Sequence, residues 1–528
     1  MKKAFHSFYF WITCASVLLI PSSGNSQLLQ LVSDINPGPT GSQPEISIGS
    51  GRDIVVAGDW FYFLANDGVH GDELWRSNGT ETMIVSDMFA SDQIPVIEHI
   101  TAVGNDIYFF AATPQNTGLW KYNGSLLSYV ENAPGSFGII DIVYANSTLY
   151  IYVEVGNSER SLFAFDGDSA TEVYTSTNSI TNICIHQGLL YFTDIWNNEN
   201  SGLYRCIGTT TELVQTIQVG DSGYGCSYAD EAVSAGNNLY IKMNDGIGGC
   251  EIWIYDGNSL QSITDFSTNE IGSTMQPLLP VGDNLLLSAN TSESDNHLYF
   301  YNASESNLEM ITTENETVYG GSLLKWNDDF YFIVLSQIDD MSGLWKWDEN
   351  GAAPVTIDGQ TILGEPVCVF GNELILWAVV DESIGAELYT FDGNELTLLH
   401  DMNPSGDAEN YEAFTEFQGK LYFFATSPEY GSELWSTTYS ISSNEISSAP
   451  ANFRVYPNPT HDNFVIDFGK RTSVQSISVY NILGERVAVS ENFESNLTQI
   501  SLLNQGTGCY HVVVRTPEKI YQFKLFKI

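Results

Sequence analysis

GDELWRSNGT (Gly71–Thr80) ends a hydrophobic run and then reverses the chain. Its phrase is an acidic residue, an apolar residue, an aromatic and a turn. It returns as GCEIWIYDGN (Gly249–Asn258), GAELYTFDGN (Gly385–Asn394) and GSELWSTTYS (Gly431–Ser440). Worn copies read GLWKYNG from Gly118, SLFAFDG from Ser161, GLYRCIG from Gly202, HLYFYNA from His297 and GLWKWDENG from Gly343. Repetition at a fixed spacing is the first thing a chain reveals about its architecture.

Ahead of each phrase stands a turn followed by a bulky apolar strand, as in GDWFYF at Gly58 and QGKLYF at Gln418. Aligning these strands superposes Tyr62, Tyr108, Tyr150, Tyr191, Tyr240, Leu286, Tyr331, Ile375 and Tyr422. The nine positions lie 41 to 49 residues apart, 45 on average. A further strand follows the turn (ETMIVSD, Glu81–Asp87), and an alternating one (EHITAV, Glu98–Val103) leads into the next copy. Four short strands in about 45 residues is the content of a propeller blade. Stretches such as WFYFLA (Trp60–Ala65) are apolar on both faces, as strands covered on both sides must be. The Asp-Gly or Asn-Gly pairs accept positive φ and supply the hairpin turns.

The chain ends agree. LLQLVSDINPG (Leu28–Gly38) is similar to TLLHDMNPSG (Thr397–Gly406), a fourth strand with its exit loop, whereas the last copy stops after its third strand. The expected fold is all-β: a propeller of nine four-stranded blades, or eight if one worn copy is not a blade, closed by the N-terminal strand. A small β-sandwich follows it.

Residues 1–26 read as a signal peptide, with Lys2 and Lys3, an apolar stretch from Phe8 to Ile20, and small residues Gly24 and Ser26 before a mature start near Gln27. That stretch is too short to span a membrane comfortably, and no later segment approaches ~18 uninterrupted apolar residues, so no transmembrane anchor is expected. Residues 27–436 form the propeller, 437–451 a polar linker, and 452–528 the sandwich, whose period-two strands alternate with Gly and Asn turns. The chain carries 65 acidic and 19 basic residues, a net charge of −46. The acids crowd the middle, while both ends are slightly basic. A surface so acidic repels nucleic acid, which is excluded as a partner.

The repeats resemble the ELWxxDGT-type repeats of secreted bacterial proteins, best at Glu73-Leu74-Trp75 and Glu433-Leu434-Trp435. That resemblance implies a propeller and no defined reaction. The tail resembles the type A C-terminal sorting domain of the type IX secretion system of Bacteroidota. It does so through Tyr456-Pro457-Asn458-Pro459, Val479-Tyr480-Asn481 with Gly484, then Leu502, Gly508, Tyr510, Val512–Val514 and the basic Lys519, Lys524 and Lys527. Cys509 departs from the family pattern. The resemblance implies the type IX secretion machinery as a partner. It also implies a secreted or outer-surface location, after removal of the signal peptide and, usually, of the tail.

Catalytic signatures are missing from the sequence. It has no HExxH, no Gly-x-Ser-x-Gly and no phosphate-binding Gly-Lys loop. His70 and His99 read as surface or packing residues rather than loop or channel groups. Acids recur in register: Glu73, Glu251, Glu387 and Glu433 open third strands, and Asp34, Asp87, Asp265 and Asp401 follow fourth strands. The register suits Ca2+ as a cofactor, or turn capping on a solvated acidic surface. Six cysteines remain outside Cys14. Cys226 and Cys250 precede the first and third strands of one blade, on the same face, and form the candidate disulfide. Cys184–Cys206 is a weaker pair, and Cys368 and Cys509 are left single. Function then reads as a secreted binding or scaffold propeller for glycan or protein. The alternative is an extracellular carbohydrate-active enzyme with its site at the propeller mouth.

Overall fold

A computed structural model describes residues 29–43, 54–438 and 446–527, apart from short stretches, the longest being 218–230 and 265–274. The expected signal segment lies outside the described residues. Every regular element among them is a β-strand. The chain divides into two compact units. Among the described residues, one holds 31–413 and 424–434, the other 29–30, 414–423 and 435–527. The division runs through the last four-stranded sheet.

Eight antiparallel sheets follow in chain order over residues 55–84, 97–129, 139–176, 180–216, 232–262, 275–310, 316–354 and 364–400. In the seventh, the first strand is split into Glu316–Val318 and Leu324–Trp326. A ninth sheet joins Glu409–Phe417, Lys420–Ser427 and Gly431–Thr438 to the N-terminal strand Gln30–Ser33, which takes the outer edge beside Gly431–Thr438. The last phrase therefore runs to Thr438 as strand.

Local chemistry explains the repeat. The turn between first and second strands carries its positive φ at Gly58, Gly104, Asn146, Gln187, Gly236, Gly282, Asn327, Gly371 and Gln418, always between 47° and 63°. Those are the nine aligned turn positions. The DG/NG turn is built differently from expectation. Positive φ falls on the glycine alone, 82° at Gly79, while the residue before it acts through its side chain. Asn78 Oδ1 accepts the amides of Thr80 and Glu81 at 2.9 and 2.8 Å. Asp166, Asp256 and Asp392 repeat the arrangement. These are Asx turns, in which a side chain stands in for a backbone carbonyl.

All nine aligned second-strand residues are buried, Tyr108 the least at 6% exposure. They fill the spaces between successive sheets. Tyr62 meets Tyr122 of the second sheet edge-on at 6.0 Å, Tyr108 meets Phe165 of the third, and Tyr240 meets Tyr301 of the sixth. Separate apolar clusters join the first sheet to the second, and so on through the eighth. The ninth meets the first through Phe63 and Phe424, whose rings lie edge-on at 5.4 Å. Aromatic pairs of this geometry add about 0.5–1.5 kcal/mol each beyond area burial.

First strands carry a recurrent irregularity. Their register slips at Glu98/Thr101, Ile139/Asp141, Thr181/Cys184, Met275/Leu278 and Pro366/Cys368. Such bulges bend a strand and tighten its twist.

In the tail, Asn463–Tyr480 pairs along its length with Arg486–Ser501. Its first part also pairs with Arg454–Tyr456, its second with Gly508–Arg515. Gly508–Arg515 continues to Ile520–Lys527. The register breaks between Asp467 and Thr472, around Gly469 at φ 70°. The buried set runs Phe464, Ile466, Phe468 and Val474, and changes parity only beyond Val474, to Ile477 and Val479. One hydrogen-bonded sheet thus wraps a single core that also takes Leu502, Tyr510, Val512, Val514 and Leu525. Ile446–Ser447, inside the expected linker, pairs in parallel with the start of Ile520–Lys527.

Candidate functional site

The recurrent glutamates are not a solvated acidic face. Glu73, Glu387 and Glu433 are fully buried, and Glu251 is 5% exposed. Each opens its third strand with the carboxylate turned onto the loop leaving the fourth. Glu73 Oε1 accepts the Met88 amide at 2.8 Å. Glu387 accepts the amides of Met402 and Asn403 at 3.2 and 3.3 Å and the Tyr411 hydroxyl at 3.1 Å. Glu251 takes the hydroxyl of Thr264. Glu433 accepts the Asn36 amide at 2.9 Å and the Ser42 hydroxyl at 2.8 Å.

The Glu433 case answers that of Glu387 repeat-for-repeat. Ile35 and Asn36, in Asp34-Ile35-Asn36-Pro37, donate to Glu433 as Met402 and Asn403, in Asp401-Met402-Asn403-Pro404, donate to Glu387. Burial pushes the Glu387 carboxyl up to about 7, against those hydrogen bonds, with Asp401 nearby adding to the rise. Burial raises Glu433 likewise. A buried carboxylate is costly unless hydrogen-bonded, and for Glu387 two backbone amides and the Tyr411 hydroxyl supply that. The glutamates hold loops in shape. Asp34 and Asp87 are exposed, Asp401 is half-buried, and Asp265 lies outside the described residues.

His70 is half-buried in a loop, its Nδ1 2.6 Å from Asp67 Oδ2, and that contact raises its pKa. His99, at φ 56°, sits in the first-strand bulge of the second sheet, 3.8 Å from Asp141 and 3.9 Å from Glu98. Among the described residues, no three His, Cys, Asp or Glu side chains stand close enough together to hold a metal ion. Cys250 is disulfide-bonded, whereas Cys184, Cys206 and Cys368 are free thiols. The weaker pair, Cys184–Cys206, is thereby overturned. Cys184 lies opposite Tyr191 and Cys206 opposite Leu190, on the two sides of one strand. Two strand spacings of ~4.8 Å exceed the reach of a disulfide. Burial pushes Cys206 up to about 11 and Cys368 up to about 12, which keeps both protonated and unreactive. Cys226 lies outside the described residues.

Of the tail motif, Tyr456 closes the short strand Arg454–Tyr456, and its bond to Pro457 is cis. Asn458, Pro459 and Gly484 lie outside the described residues. Gly508 begins Gly508–Arg515, and Tyr510 is a buried member of the core. Lys524 lies on Ile520–Lys527, and its side chain is outside the described set. Lys527 is buried, and its ammonium donates to the Leu502 carbonyl at 2.6 Å. It therefore ties the last strand to the core instead of offering a free charge.

Residues 454–527 match the model of the secretion system C-terminal sorting domain. The tail is such a domain. It implies handling by the type IX machinery and secretion to the cell surface or beyond. No helix among the described residues is long and apolar enough to cross a membrane. No curated protein matches the chain significantly. Several solved structures are loosely similar. A Mycobacterium tuberculosis puromycin-hydrolysing peptidase shares 12% identity over 75% of this chain and 64% of its own, with a TM-score of 0.32. A prolyl endopeptidase shares 9% over 81% and 55%, at 0.36. The β-propeller domain of the trilobed protease from Pyrococcus furiosus shares 12% over 58% and 96%, at 0.30. The chain spans less than two thirds of the length of the first two, and likeness this loose carries no argument about activity.

Proposed function

We propose that residues 27–438 form a nine-bladed propeller of ELWxxDGT type, closed by the N-terminal strand. In this reading a signal peptide at residues 1–26 carries the chain across the inner membrane and the tail carries it across the outer one. The propeller then works at or beyond the cell surface as a binding or scaffold module for a glycan or protein. Nine successive sheets, each packed on the next, support the ring, as does the placement of Gln30–Ser33 beside the last third strand. The observation that carries the binding reading is the state of the recurrent glutamates. They are buried, with Glu73, Glu387 and Glu433 bonded to loop amides and Glu251 to the Thr264 hydroxyl, so these acids serve to fix the loops as a rigid surface. Rigid loops on a repeat scaffold are a usual basis of recognition.

The test is a glycan array on the secreted protein, with and without calcium, alongside an assay for released reducing ends. Saturable binding without release is expected. Release of reducing ends, lost on substitution of acids at the propeller mouth, would establish the enzyme instead. The disulfide of Cys250 is assigned to Cys226 in the same proposal.

A further inference from the structure

Residues 34–42 are fastened to the last strand of the ninth sheet in an unusually complete way. The Glu433 carboxylate takes the amides of Ile35 and Asn36 and the hydroxyl of Ser42. The Ser42 amide donates to the Ser432 carbonyl at 2.9 Å, and Gly41 forms a parallel bridge with Ser432. Asn36 folds its side-chain amide onto the Gly41 carbonyl at 2.7 Å, which shapes the segment from within. The two backbones meet with no room to spare. A methyl group on Gly41, at φ 67°, would collide with the Ser432 backbone, its oxygen 2.8 Å away. One on Gly431, at φ 65°, would stand 2.7 Å from Gly41 Cα and from the Pro39 carbonyl. On its other side the segment accepts the Asn66 amide at Ser42 O, 3.0 Å.

These contacts read a sequence. Two successive amides meet a buried carboxylate, a glycine is demanded at one place, and a serine hydroxyl lies beside it. We infer that the edge of Gly431–Thr438 is a binding site for an extended peptide of the type Asp-Ile-Asn-Pro-Gly-Pro-Thr-Gly-Ser. Residues 30–42 are its tethered ligand, exchangeable for the same segment supplied from outside, including that of a second copy of this chain. Strand addition of this kind draws affinity from main-chain hydrogen bonds and specificity from side-chain positions. The tether raises the local concentration of the internal copy, so exchange becomes visible only once the tether is cut. The inference rests on the reading that the N-terminal strand completes the ninth sheet.

The experiment uses the full-length chain with a specific protease site inserted after residue 43. After cleavage, the released segment is expected to stay with the body in gel filtration. A fluorescent synthetic peptide of residues 28–43 should then exchange into the body saturably. The same peptide with Gly41→Ala should need about 5- to 150-fold higher concentration, since overpacking a tight contact costs about 1–3 kcal/mol. Because that change is in the peptide, the body is untouched. A folded body that takes up no peptide, equal uptake of the Gly41→Ala peptide, or a body that unfolds on cleavage each overturns the inference. The ring reading fails on a different result, unchanged stability when residues 27–42 are deleted.

Discussion

At the scale of single residues, the glutamates decide most. Glu387 is fully buried and its carboxyl is raised to about 7 from an ordinary 4.5. The folded state therefore holds a proton that the unfolded state releases. Its stabilising share is complete below about pH 4.5 and is lost as pH rises through about 7. Glu387→Gln removes that titration. The melting temperature of the parent should fall more steeply than the variant's across this window, and parallel profiles would refute the assignment. The many other acids drop out of the comparison because both proteins share them.

The glutamates were visible in the sequence as a register, with turn capping as one reading, but their burial and their partners were not. Glu73 and Glu387 take amides 15 or 16 residues further on, Glu251 takes the Thr264 hydroxyl 13 residues on, and the partners of Glu433 lie near the other end of the chain. A Glu followed at that interval by Asp-Met, as at Asp87-Met88 and Asp401-Met402, is the signal that could have revealed it. The cysteines were legible in part. Cys250 is disulfide-bonded, with its expected partner Cys226 outside the described residues, and two strand widths rule out Cys184–Cys206. Changing Cys226→Ser should expose one new titratable thiol, at Cys250. No gain in thiol would assign the bond elsewhere.

At the scale of elements, the turns carry the repeat. All nine aligned turn positions adopt positive φ, including Asn146, Gln187, Asn327 and Gln418, where the residue is not glycine. Alignment found them because turn chemistry is local. What local reasoning missed is that the Asn or Asp before the second glycine works by hydrogen bonding. Asn78→Ala should therefore cost about 1 kcal/mol, as loss of a side-chain cap does, while Asn78→Asp should be nearly neutral. Chemical denaturation of the two variants measures this, and equal costs would show that the side-chain oxygen is idle. First-strand bulges left no trace in the pattern, since an extra residue in a mixed apolar strand looks like ordinary irregularity. In the tail, the turns and alternating strands were legible. The register break around Gly469 was not, nor was the bond from the Lys527 ammonium to the Leu502 carbonyl.

At the scale of the whole molecule, two modules divide the work. The tail is a sorting domain, so deleting residues 454–527 should abolish appearance of the protein at the cell surface and in the medium. Immunoblotting of cell and medium fractions reads this directly, and undiminished export would contradict the assignment.

The more demanding claim is that the chain's ends meet. Gln30–Ser33 lies beside Gly431–Thr438, and Glu433 caps residues 35, 36 and 42 as Glu387 caps 402 and 403. The most direct test is the thermal unfolding of a chain lacking residues 27–42. Loss of the outer strand and its cap should lower the melting temperature well beyond the effect of removing residues 439–445, ahead of the Ile446–Ser447 pairing with the tail. A melting temperature and cooperativity unchanged from the intact chain would contradict the account.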